Sequence, residues 1–257
     1  MGNDITPSVS VVIPAFNSEQ TIAAAIHSVV IQNIPVELII IDNASTDRTL
    51  DVIQSCRSKW ESAPIIWKVI HCEKNLGAAN ARNLGVKSAS APYVAFLDSD
   101  DWWAAEKLTK QMALLKETGG VLCSTGREFA THEGELTGHI VPVKSIITYQ
   151  DLLHDNSINC SSVVILTSVA REFPMGHEEC HEDYITWLQV LKKYKNAYAV
   201  NEPLLKYRRS EDGKSANKWK SAKMHYHSLR IVGIKPVRAA WYFCFYVASG
   251  IKKHIIV

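Results

Sequence analysis

An α/β fold, with a mostly parallel central sheet flanked by helices, follows from two features of the first hundred residues. Short β-branched apolar runs alternate strictly with stretches of helical periodicity. The runs are apolar at consecutive positions, as in strands covered on both faces. The chain has 257 residues, 47% of them hydrophobic and 21% charged. That is an ordinary globular composition, long enough for one large domain or two small ones.

Each element can be justified in turn. VSVVIPAF (9–16) is a strand by length and β-branching, expected to break at Pro14. TIAAAIHSVVIQ spaces Ile22, Ile26, Val29 and Val30 helically, and VELIIIDN (36–43) is a second buried strand. STDRTLDVIQSC predicts a helix capped by Ser45 or Thr46, with Asp47 in its first turn and Leu50, Ile53 and Cys56 inward. IIWKVIHC (65–72) is a third strand, GAANARNLGVKSA a helix and YVAFLD (93–98) a fourth strand. Beyond Trp103, AAEKLTKQMALLKE and DYITWLQVLKKY (183–194) read as amphipathic helices, while VLCSTGREFA, SSVVILTS and AYAVNEPLLKYR read as strands.

Open parallel sheets bind ligands at the carboxyl ends of their strands. Polar clusters fall at such ends: NSE after the first strand, DNAST after the second and DSDD after the fourth. Asp98, Asp100 and Asp101 lie within four positions, and like charges so close repel unless a cation intervenes. If strand geometry persists, Asp98 and Asp100 share a face. Hard oxygen ligands of this kind suit Mg²⁺ or Mn²⁺ together with substrate phosphates.

VSVVIPAFNSEQTI, LIIIDNASTDRT, NLGAANARNLG, YVAFLDSDDWW and HEDYITWLQV occur in this order. Together they resemble a family 2 glycosyltransferase of the GT-A fold, Rossmann-like, of the kind found in bacterial surface polysaccharide (O-antigen or capsule) synthesis. The resemblance covers roughly residues 8–210. It implies a catalytic domain over 1–212, with a nucleotide-sugar half at about 1–101, an acceptor half at 102–212 and a C-terminal helical extension over 213–257. It further implies that Pro14, Ala15 and Glu19 line a nucleotide pocket, that Asp42 meets the base, usually uracil, and that Arg82 lies near base and phosphates. Asp98, Ser99 and Asp100 would form the DxD-type element, Asp98 near ribose and metal and Asp100 on the metal. Asp183 would be the general base, Glu182 its support and Trp187 a wall of the acceptor site. The implied reaction moves a hexose or N-acetylhexosamine from a UDP-sugar to a saccharide acceptor with inversion, using Mn²⁺ or Mg²⁺.

HEECH (177–181) competes, because it matches the zinc-hydrolase pattern H-E-x-x-H. That pattern needs a helix, whereas Pro174 and Gly176 just upstream favour a loop. His177 and His181 then read as loop residues beside the acceptor. A non-catalytic nucleotide-sugar-binding module is a third reading, disfavoured because the acidic motifs are intact.

Net charge is +2, yet from Gly213 onward there are nine Lys or Arg and no acid, which leaves the first 212 residues at −7. A basic tail points to an anionic partner. YRRSEDGKSAN (207–217) resembles the family's mobile segment, with Arg208, Arg209 and Lys214 as candidates to close over the diphosphate. AAWYFCFYVASGI (239–251), flanked by Lys235, Arg238, Lys252 and Lys253, is too short for a bilayer that needs about twenty residues. It suits an element lying in an anionic interface, each base adding roughly 1 kcal/mol. A lipid-linked acceptor would fit such a tail, while nucleic acid does not, since no recognition motif accompanies the charge. The six cysteines lack C-x-x-C spacing and MGNDITPS lacks a basic start. The expectation is a cytoplasmic protein with free thiols, peripheral on the cytoplasmic face of the inner membrane.

Overall fold

The structure, a computed structural model, describes residues 6–61, 63–209 and 218–255. The first half runs β1 (Val9–Ala15), α1 (Ile22–Val30), β2 (Val36–Asp42), α2 (Thr49–Lys59), β3 (Ile65–His71), α3 (Ala78–Ser88) and β4 (Tyr93–Phe96). Then follow β5 (Trp102–Trp103), α4 (Lys107–Thr118), β6 (Leu122–Ala130), β7 (Leu136–Val141), β8 (Ile146–Thr148) and α5 (Tyr149–His154). The chain continues through β9 (Val164–Leu166), α6 (Thr167–Glu172), α7 (Glu182–Tyr194), β10 (Asn196–Arg208), α8 (Lys218–Ile231) and α9 (Pro236–Ile255).

Among the described residues these strands form one sheet in the order β3, β2, β1, β4, β9, β6, β10, β5, with β7 on β6 and β8 on β10. Strands β1 to β4 pair in parallel, and so do β6 and β10, whereas β9 runs antiparallel between β4 and β6. Alternate residues feed two cores: Val11, Ile13, Leu38 and Ile40 on one face, Val12, Ile39, Ile41 and Phe96 on the other. This is why the strands are apolar at every position. Each such side chain contributes about 1.5–3 kcal/mol of burial. The strand order reverses where β1 meets β4, a topological switch point whose strand ends, Ala15 and Phe96, open onto a crevice.

Several elements differ from the sequence reading, each for a local reason. Pro14 does not break β1, which pairs with β2 through Ala15. The Val12 carbonyl bonds Leu97 on the β4 side, so Pro14, two residues on, turns its missing N–H to that side, where β4 has already ended. Helix α2 starts at Thr49 without a side-chain cap from Ser45 or Thr46, and Asp47 accepts from the Thr49 amide instead at 2.9 Å. SSVVILTS supplies only a three-residue strand between a 3₁₀ turn (Cys160–Ser162) and α6. The tail's apolar stretch lies inside the longer helix α9, because Arg238, Lys252 and Lys253 are helical too.

Candidate active site

The switch point opens into a cleft of about 980 Å³. Pro14, Ala15 and Glu19 line one wall, and Arg82, Asp98, Ser99, Asp100 and Arg208 line the other. Ser18 and Ser99 join the two walls through their hydroxyls at 2.8 Å. Arg209, beside Arg208, instead stacks over Phe129 at 4.4 Å. Lys214 lies outside the described residues.

Arg82, on α3, organises the floor. It is 6% exposed. It donates to Asp98 at 2.6 Å and to Glu182 at 3.1 Å, so one guanidinium ties the turn after β4 to the start of α7. Burial disfavours its charge, but the carboxylates of Asp98 and Glu182 outweigh that and hold its pKa well above the usual value. A planar fork can serve two carboxylates at once, which a lysine ammonium cannot.

Strand geometry does not persist through the acidic run, because β4 ends at Phe96 and the Asp101 amide folds back to the Asp98 carbonyl at 3.1 Å. The three carboxylates therefore part company. Asp98 bonds Arg82, Asp100 faces the cleft, and Asp101 turns inward to accept from the Arg208 amide at 3.0 Å. Burial, then the charge of Asp98, pushes Asp100 up to about 6, partly offset by Arg208 and Arg82. Burial, then the charges of Asp100 and Asp98, push Asp101 well above the carboxylate range, with hydrogen bonds from Ser161 and the Arg208 amide opposing. Its side chain is only 1% exposed. The carboxylate oxygens of Asp98 and Asp100, which both line the cleft, are hard donors of the kind that fits a divalent cation.

Glu182 and Asp183 open α7, where a helix N-terminus favours negative charge. Asp183 accepts from the Tyr184 amide at 2.8 Å. Burial and the adjacent Glu182 raise its pKa above that of an ordinary aspartate, with His181 and Arg82 opposing. A carboxylate of raised proton affinity beside the cleft floor is chemically suited to accept a proton.

Other expected residues sit elsewhere. Trp187 does not wall an acceptor site: it is 1% exposed and packs on Phe96 at 6.1 Å between ring centroids, because at this sixth position α7 faces the sheet. Trp187→Ala should therefore destabilise the protein by about 3–5 kcal/mol in denaturant titration, as expected of a core aromatic. Asp42 is fully buried behind the lining, accepting from the Ser45 amide at 3.2 Å and paired with His71 at 2.6 Å.

HEECH is not a zinc helix. His177 has φ 63, residues 177–181 are non-helical, and no three His, Cys, Asp or Glu among the described residues are grouped to hold a metal. Glu178 instead caps α3, accepting from the Ala79 amide at 2.7 Å. Gly77 has φ +81, which L side chains rarely adopt, and a Cβ there would displace the Glu178 carboxylate, 2.2 Å away, from its cap. The sequence reading also missed Asn75, which lines the cleft and accepts from Asn43 of the DNAST cluster at 2.9 Å. Its signal was the polar stretch EKN after the third strand.

Comparison with known proteins places this geometry. Residues 10–166 match Glycosyl transferase family 2. A protein named for teichuronic acid biosynthesis, TuaG of Bacillus subtilis (strain 168), is 36% identical over 251 residues, 97% of this chain and 98% of its own. WfgD of Escherichia coli, a UDP-Glc:α-D-GlcNAc-diphosphoundecaprenol β-1,3-glucosyltransferase, is 34% identical over 96% of this chain and 94% of its own. Among solved structures, Staphylococcus aureus TarS 1–349 in complex with UDP-GlcNAc superposes with a TM-score of 0.73 at 18% identity, over 95% of this chain and 73% of that one. A Pyrobaculum calidifontis mannosyltransferase in complex with GDP-Man and Mn²⁺ superposes with a TM-score of 0.69 at 14% identity, over 97% of this chain and 76% of that one. Neither the zinc-hydrolase reading nor the non-catalytic module survives: the chain belongs to glycosyl transferase family 2 and is a glycosyltransferase of the GT-A fold.

Proposed function

We propose that the protein transfers a hexose or N-acetylhexosamine from a UDP-sugar to a lipid-linked saccharide acceptor, with inversion, in the assembly of a bacterial surface polysaccharide. The observation that carries this reading is the buried Arg82 bridge. It ties the acidic turn in the cleft to Glu182, the first residue of α7 and the chain neighbour of Asp183. The donor and acceptor classes rest on relatives whose names specify UDP-glucose and a diphosphoundecaprenol-linked sugar.

In this reading residues 1–101 hold the nucleotide-sugar, 102–212 the acceptor, and 213–257 contact the membrane. Asp183 takes the proton of the acceptor hydroxyl as its oxygen attacks the anomeric carbon and the bond to UDP breaks. Glu182, held by Arg82, fixes the start of α7 during that step. Asp42 reaches the base only if the loop after β2 releases it from Ser45 and His71. Asp98 and Asp100 would hold Mn²⁺ or Mg²⁺, whose charge assists departure of the diphosphate.

Helix α9 exposes Val237 and Trp241 alongside Arg238, with Lys235 just before it. This face supports peripheral contact with an anionic membrane on its cytoplasmic side. No helix among the described residues is long and apolar enough to cross one. The test is a panel of UDP-, GDP- and TDP-sugars with Mn²⁺, read by nucleotide release and by melting temperature. UDP-sugars should raise the melting temperature and be turned over, and a chelator should stop turnover. Undiminished turnover in chelator, or preference for another nucleotide, would sink the reading.

A further inference from the structure

Helix α7 begins at His181 without any side-chain cap. The imidazole is directed across to α8 instead. Its Nε2 lies 3.1 Å from the Ser221 carbonyl and 3.3 Å from the Ser221 hydroxyl. A carbonyl only accepts, so Nε2 carries the hydrogen. The His181 backbone amide, which α7 cannot use, donates to the Ser228 hydroxyl at 3.3 Å. Two points on α8, about two turns apart, thus grip the residue that precedes Glu182 and Asp183.

The grip is braced from behind. His225 is fully buried on α8, with both ring nitrogens unpartnered among the described residues. Its ring lies between Tyr184 of α7 at 4.8 Å and Tyr246 of α9 at 3.8 Å, nearly parallel to the latter at 11°. Tyr246 also reaches the Ser221 hydroxyl at 3.2 Å. Burial pushes His225 down to about 3, so it stays a neutral, flat spacer that joins three helices. An orphaned polar ring costs stability, and here it lies directly behind the first turn of α7.

We infer that the C-terminal helix pair is part of the transfer apparatus, with His181, Ser221 and Ser228 as positioning residues that set the first turn of α7 and hence Asp183. This rests on Asp183 being the base. The pair therefore does more than offer a surface to a membrane. Its inner face fixes where the base stands, and release of that face would leave the donor cleft intact while misplacing the proton acceptor. Geometry of this kind matters because small displacements of a reacting group cost large factors in rate.

The test measures transfer and donor binding separately on the full chain. His181→Ala should lower kcat about 10-fold or more, leave the UDP-sugar Kd unchanged, and move the acid limb of the kcat profile. That limb reflects Asp183 among Glu182, His181, Arg82 and Cys160, all of which act on it electrostatically. His181→Gln, whose amide can still donate toward Ser221, should recover most of kcat. Ser228→Ala should show the same split more weakly. Wild-type kcat and pH profile in His181→Ala would overturn the inference, as would a loss of donor binding together with kcat that Gln fails to rescue. If instead Asp183→Asn transfers normally, the reading of the base has failed, which is a different result.

Discussion

Asp183→Asn is expected to lower transfer by about 10²–10⁴, the range of a positioned general base, with UDP-sugar affinity unchanged. The amide keeps the shape and can still accept from the Tyr184 amide, so only proton acceptance is lost. Stability gives an independent check. Because the folded-state pKa of Asp183 lies above the ordinary 3.8, the folded protein holds this proton more tightly than the unfolded chain does. The group's stabilising contribution is present at acid pH and is lost as pH rises through the raised value. Asn carries no charge to bury, so the variant should melt at or above wild type at neutral pH, with the margin narrowing in acid. The wild-type acid limb of kcat should likewise sit above an ordinary aspartate's pKa. A variant that still transfers normally, or one that loses donor binding as well, contradicts the assignment.

The first four strands and three helices were legible because both sheet faces are covered, which forces an uninterrupted apolar signature that polar strand ends punctuate. Val11 and Val12 serve different cores, and the sequence shows both. The second half was harder. Strand β9 has three residues and earns its place only by lying antiparallel between β4 and β6, a long-range pairing that leaves no local period. Pro14 misled because a missing N–H matters only where a neighbouring strand is present to receive it.

At the site, residues fixed by their own loop were legible, whereas those recruited from a distance were not. Asp98, Ser99 and Asp100 stand at a strand end that the sequence marks plainly. Ser161, whose hydroxyl accepts from the Asp98 amide at 3.1 Å, comes from sixty-three residues away. Glu178 looked like part of a metal motif, but its partner is the start of α3, ninety-nine residues distant. Trp187 was misplaced since helical spacing alone cannot say which side of α7 meets the sheet.

Arg82→Met should be the most destabilising single change at the site. It leaves Asp98 and Glu182 beside a buried apolar side chain, and removing one partner of a buried ionic cluster costs about 3–5 kcal/mol. Donor affinity and transfer should fall together, unlike in Asp183→Asn, because the same guanidinium sets both the acidic turn and α7. Arg82→Lys should recover part of the stability through charge while recovering little transfer, since one ammonium cannot hold both carboxylates. Adding Glu182→Gln to Arg82→Met should cost less than the sum of the two single changes, as contacting residues couple. A double change that costs as much as the sum of the two would mean that Arg82 acts by filling space, and the electrostatic link between the acidic turn and α7 would then be wrong.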